Sequence, residues 1–205
     1  MLIDRSARDL LSAFSSADPT PGGGSASALA SAIGASLLMM VAALPKTRTG
    51  SDDDRAALAE AAGTLTSMRE QLAAAVDSDT AAYDQVVAAY KLAKASPAEQ
   101  SARKAAIQQA LRAATDVPLE VVRLSAGGLD QAVAIARHGH RAAVSDVGVA
   151  VALLRAGAHG ARLNVEINIG GLTDPAYSAS IAAEVLRLSN AAVRAADAAD
   201  ALLLA

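Results

Sequence analysis

Cysteine is absent from the 205 residues. That excludes disulfides, thiolate nucleophiles and any zinc site built on sulfur, and it is compatible with the reducing cytoplasm where the protein is expected. Aromatic residues make up only 2% of a chain that is 53% apolar, and alanine supplies much of the apolar share. Alanine is the best helix former and a poor core filler, so closely packed helices suit this composition better than sheets. An excess of basic charge is also missing: the formal net charge is -3, which gives no support for nucleic-acid binding. Asp4, Arg5, Arg8 and Asp9 interrupt the N-terminal region where a secretory segment would need an apolar core, so no signal peptide is expected.

What is present is helical periodicity almost throughout. Leu10, Leu11 and Phe14 share a face of a short first helix that ends near Asp18-Pro19. An uncharged helix follows the glycine triplet, with Ser25 as its candidate N-cap and Pro45 as its stop. Ser51 to Asp54 form an acidic entry to a long helix that runs to about Ala93. Pro97 opens the next helix, and Val117-Pro118 marks a further start, with a weak point at Gly127-Gly128. Ser145 is a candidate cap for the helix after that. In "NVEINIGG", Val165, Ile167 and Ile169 alternate with polar residues, which predicts an extended piece. Asp174-Pro175 starts the last helix. The expectation is one all-α domain over residues 1–205, an antiparallel helix bundle around a long, buried central helix.

That central helix is "PGGGSASALASAIGASLLMMVAALP", from Pro21 to Pro45 without a charge. Its length would span a bilayer, but Ser25, Ser27, Ser31 and Ser36 dilute its hydrophobicity and aromatic anchors are missing. A helix surrounded by other helices satisfies the same pattern, and no membrane association is expected. The glycines add a second reading. A glycine run entering a helix leaves its first amides free and lets a ligand come close, which suits an anion. No Gly-Lys-Ser/Thr follows and no strand precedes, so neither common phosphate-binding motif applies.

The run "PTPGGGSASALASAIGASLLMMVA" resembles the opening of the cyclodeaminase/cyclohydrolase family. The resemblance continues in order through "DSDTAAYDQVVAAYKLAK", "ATDVPLEVVR" and "AVSDVGVAVALLRAGAHGARLNVEINIGGL". It implies an all-helical homodimer acting on a one-carbon unit carried by tetrahydrofolate. The expected activity is methenyltetrahydrofolate cyclohydrolase, in which water opens the methenyl bridge to 10-formyltetrahydrofolate. The alternatives are formiminotetrahydrofolate cyclodeaminase, which releases ammonia, and a non-catalytic folate-binding or helical interaction protein. Neither reaction requires a metal or redox cofactor. The chain departs from the family pattern at Ala43, where an Asn is usual, and at His140, where "GHRAAVSD" replaces an Asn-containing run.

The matching positions give the candidate site. Asp146, in the Ser-Asp motif, is a candidate general base whose alternative is a helix cap. Asp79 is the second catalytic candidate, to steer water and proton with Asp146; it and Tyr83 are four apart on one helix face and are expected in the pocket, with Tyr83 able to stack on a flat ring, and a solvated acidic stripe is the alternative. Lys46 and Arg48 are candidates for holding the substrate's carboxylates or polarising its ring oxygen, Lys46 being counted with the catalytic candidates; ordinary loop charges are the alternative. Gly22, Gly23, Gly24 and Ser25 would approach the ligand. Asn164 and Asn168 offer donors and acceptors to a pterin edge from one side of their segment. His140 is a candidate for proton transfer. His138, His140 and His159 do not have metal-ligand spacing, and no metal is expected.

Overall fold

The computed structural model describes residues 1–204 and is all-α, a single domain of six helices. These are α1 (Ala7–Phe14), α2 (Gly23–Ala42), α3 (Asp52–Tyr90), α4 (Pro97–His138), α5 (Val144–Ile169) and α6 (Pro175–Leu203), with a 3-10 turn at Arg141–Ala143. Local chemistry sets most of the starts. The Ser51 hydroxyl caps α3 by accepting from the Asp54 amide, and three aspartates fill the first turn. Ser96 and Glu99 make a reciprocal capping box for α4, with Pro97 just inside. Asp174 caps α6 ahead of Pro175.

Small residues bring the helices close. Gly34 of α2 lies against Ala150 and Leu154, Gly157 against Ser27 and Ser31, and Gly23 near Asn164. These pairings run α2 and α5 antiparallel. α3 and α4 form a second antiparallel pair, and α6 covers α4 and α5. Buried Leu38, Leu65, Leu72, Leu119, Leu129, Ile135 and Leu154 fill the space between them.

Five expectations need correction. The centre of the bundle is α4, which touches α2, α3, α5 and α6; α2 is buried on one side only, leaving Ile33 45% and Met40 41% exposed. Ser25 does not cap α2: Gly22 is the N-cap, no side chain caps the helix, and Ser25 lies in its first turn. Ser145 does not cap α5 either, which begins one residue earlier after Ala143. The segment predicted as extended is the last turn and a half of α5. Val165 is buried and Ile169 half-buried, as an i, i+4 pair should be, whereas Ile167 between them is 75% exposed.

The helix start expected at Pro118 is not a start, because α4 runs through it. Proline in a helix interior removes one hydrogen bond and pushes on the carbonyl four residues back. Here packing outweighs that local cost: Pro118 and its neighbours Leu119, Val121 and Val122 are buried. The carbonyl deprived of its donor is that of Ala114.

Candidate functional site

A cavity of about 320 Å³ opens at the end of the bundle where α2 begins. Its walls come from the approach to α2 (Pro19, Thr20 and Gly22–Gly24), from Asp79, Tyr83 and Val86 of α3, from Leu111 and Ala114 of α4, and from Asn164, Ile167 and Asn168 of α5. Asp79, Tyr83 and Val86 are spaced by four and three, one stripe of α3. The polar members other than Thr20 are those expected from the sequence, and the apolar walls Val86, Leu111 and Ile167 are additional. The same periodicity would have exposed Val86.

Asp79 is half-buried, and Ser25 holds one of its carboxylate oxygens. The Ser25 amide donates to Oδ2 at 2.8 Å and the Ser25 hydroxyl at 2.9 Å. Oδ1 makes no hydrogen bond and lies over Gly24, where a side chain would collide with the carboxylate. That collision is the reason for glycine at position 24. Burial raises the Asp79 pKa above the ordinary carboxylate value, against the opposing effect of the Ser25 bonds. One oxygen is thus fixed and the other free, at the N-terminal end of a 20-residue helix.

The two asparagines add further acceptors. Asn164 donates its amide to Gly160 O at 2.8 Å and Asn168 donates to Ala114 O at 2.7 Å. One N–H of each NH2 group is used in this way, and each carbonyl oxygen has no protein donor. Asn164 and Asn168 share a side, as expected, but through helical i, i+4 spacing. Three residues that line the cavity beside the Tyr83 ring therefore carry an unbonded acceptor, one of them a carboxylate. Such acceptors suit a ligand bearing N–H groups or a positive charge.

Lys46, Arg48, His140 and Asp146 are not in this cavity. Asp146 lies in the first turn of α5 and Asn164 eighteen residues later, so about 27 Å of helix separates them. The other three cluster near Asp146, at the far end of the bundle. Arg48 there binds the end of α4: its side chain donates to Ala136 O at 2.8 Å and Arg137 O at 3.3 Å. His140 accepts from the Ala142 amide and caps the 3-10 turn. Lys46 is exposed. The loop carrying Lys46 and Arg48 is held by Asp54, a residue the sequence reading used only as a helix start. Asp54 accepts from Thr47, from Thr49 and across 2.8 Å from His138, and these bonds hold its carboxyl well below the usual range. Within one chain the candidate residues thus form two groups, not one.

A family model described as formiminotransferase-cyclodeaminase matches residues 6–187. A methenyltetrahydrofolate cyclohydrolase of Methylorubrum extorquens is 39% identical over 168 residues, covering 82% of this chain and 81% of that protein. A formimidoyltransferase-cyclodeaminase of Gallus gallus is 32% identical over 168 residues, 82% of this chain and 31% of that protein. The chain spans a similar share, 32%, of the Rattus norvegicus protein of that name, at 31% identity. Among solved structures, a formiminotetrahydrofolate cyclodeaminase from Thermotoga maritima superposes with a TM-score of 0.88, covering 100% of this chain and 98% of that one. At 22% identity, that likeness speaks for the fold.

Proposed function

Because the chain belongs to the formiminotransferase-cyclodeaminase family, we propose that it is a methenyltetrahydrofolate cyclohydrolase, opening 5,10-methenyltetrahydrofolate to 10-formyltetrahydrofolate. The observation that carries this reading is Asp79, with Oδ2 anchored by Ser25 and Oδ1 free in the cavity. The methenyl carbon bears a delocalised positive charge, which a nearby carboxylate stabilises. Water adds to that carbon and gives up one proton to Asp79 Oδ1. The bond from the carbon to N5 then breaks, N5 takes the proton of the new hydroxyl, and the formyl group stays on N10. The net release is one proton, and the balance needs water alone, with no metal or cofactor. A carboxyl with a raised pKa is a stronger base for the first proton than an ordinary one. Asn164 and Asn168 would accept from the N–H groups of the reduced pterin, and Tyr83 would lie against its ring.

The second group of residues enters through a second copy of the chain. α2 and α5 together expose an apolar face that includes Ile33, Met40, Val149, Leu163 and Ile167, and α2 carries no charge at all. The two helices are long and apolar enough to cross a membrane, yet each packs one side into the bundle. Laying a second copy antiparallel on this face covers it. The same arrangement sets the Asp146 end of one copy over the Asn164 end of the other. A homodimer so built completes the cavity with Lys46, His140 and Asp146 of the partner. Light scattering at assay concentration should give the mass of two chains, and a monomer would refute the arrangement.

The direct test follows loss of the methenyltetrahydrofolate chromophore against an enzyme-free control. Acceleration is expected, and Asp146→Asn should lower it by about tenfold or more if the partner's carboxylate assists the proton transfers. Binding without turnover would point instead to a non-catalytic folate protein. The likeness to the vertebrate proteins keeps cyclodeaminase as the second reading. Ammonia released from 5-formiminotetrahydrofolate would establish it.

A further inference from the structure

A proline inside a helix leaves one carbonyl without its donor, and in α4 that carbonyl has been taken over by the candidate site. Pro118 has no N–H, so Ala114 O, four residues earlier, has no helical partner. Asn168 of α5 donates its Nδ2 to that oxygen at 2.7 Å. Ala114 and Asn168 both line the cavity. From this we propose that Pro118 is a positioning residue: by freeing and tilting the Ala114 carbonyl, it fixes the Asn168 amide with its Oδ1 available to the ligand. The inference rests on the folate reading above for the ligand's identity, though not for the geometry.

An asparagine amide can turn over about its last torsion and exchange donor for acceptor at little cost. What decides the orientation is the partner on one side. Asn164 obtains it within its own helix, from Gly160 O at 2.8 Å. Asn168, four residues on, takes its acceptor from the neighbouring helix. In an uninterrupted α4, Ala114 O would point along the helix axis to the amide at position 118 and be satisfied there. The pyrrolidine ring removes that amide and presses the carbonyl outward, toward a donor from α5. Asn168 then presents an acceptor, which suits a ligand N–H, and the NH2 group cannot face the cavity without abandoning a buried carbonyl.

Pro118→Ala restores the amide and allows Ala114 O to return to the helical ladder. The variant should fold, because a helix interior favours alanine strongly over proline, and its urea midpoint should not fall. With 5,10-methenyltetrahydrofolate as substrate, KM should rise about fivefold, the effect of one misaligned hydrogen bond, with kcat within about twofold. Asn168→Ala should do the same. The double variant should be no worse than Asn168→Ala alone, since the proline acts only through that side chain. Effects that multiply, or an unchanged KM in Pro118→Ala, would overturn the proposal. A second readout is independent of turnover. The two side-chain amide protons of Asn168, followed by nitrogen-15 NMR, should shift and exchange faster in Pro118→Ala, while those of Asn164 stay put. Unmoved Asn168 resonances would overturn the positioning role. Moved resonances in a protein that never hydrolyses the substrate would uphold it and place the failure with the functional reading.

Discussion

Asp79→Asn lowers turnover of methenyltetrahydrofolate by about 100-fold or more, the usual contribution of a positioned general base, and leaves the fold intact. The substitution keeps the side chain's shape and an oxygen for Ser25 to hold, but removes the charge beside the cation and the acceptor for water's proton. The pH profile supplies a second signature. Only ionised Asp79 can take a proton, and burial raises its pKa above the ordinary carboxylate value. Activity should therefore fall as pH drops through that raised pKa, and this limb should vanish in the variant. Stability runs the other way. A carboxyl whose pKa is higher folded than unfolded contributes stability that is fully present below the unfolded pKa and is lost as pH rises through the folded one. At neutral pH the wild type carries that penalty, so Asp79→Asn should unfold at an equal or higher urea concentration. A variant with wild-type turnover would remove Asp79 from the mechanism.

The second large effect is on stability. Gly157→Ala should cost about 2 kcal/mol, typical of overpacking a tight core, seen as a lower urea midpoint with an unchanged slope. A methyl group at position 157 would meet the Ser31 hydroxyl and, at 2.7 Å, the backbone oxygen of Ser27. The hydroxyl could rotate away, but the carbonyl belongs to α2 and moves only if α2 leaves α5. Gly63 on α3 is the control, since a methyl there meets nothing within 4 Å. Gly63→Ala should raise stability by about 0.5–1 kcal/mol through helix propensity alone. Equal behaviour of the two variants would mean that the α2–α5 contact tolerates spreading.

The comparison of Gly157 with Gly63 also shows how far a sequence can be read. Both are glycines in helical runs, and nothing local distinguishes them; the difference lies in what the other helix brings opposite. Elements governed by their own neighbours were legible, such as the starts of α3 and α4, where serine caps and acidic or proline residues fix the first turn. Elements decided by packing were misread. Pro118 follows a local rule that buried neighbours outweigh. The alternation at Val165, Ile167 and Ile169 looks like a strand because Ile167 is apolar, although it faces outward. The candidate site divides the same way. Asp79, Tyr83, Asn164, Asn168 and the glycines meet in one cavity. Asp146, Lys46, Arg48 and His140 share motifs of the same family but lie at the other end of the bundle, a distance that the unbroken length of α5 sets for Asp146 and the antiparallel pairing of α2 with α5 sets for the loop after α2.

The length of α5 between Asp146 and Asn164 has a consequence for inheritance. In the proposed pair, each cavity draws Asp79 from one chain and Asp146 from the other. A chain damaged at Asp79 and a chain damaged at Asp146 are each impaired when paired with themselves. Mixed together, they form pairs in which one cavity collects both lesions and the other collects none. Two defective alleles would thus restore activity in each other's presence, so selection would act here on the couple and not on the single polypeptide.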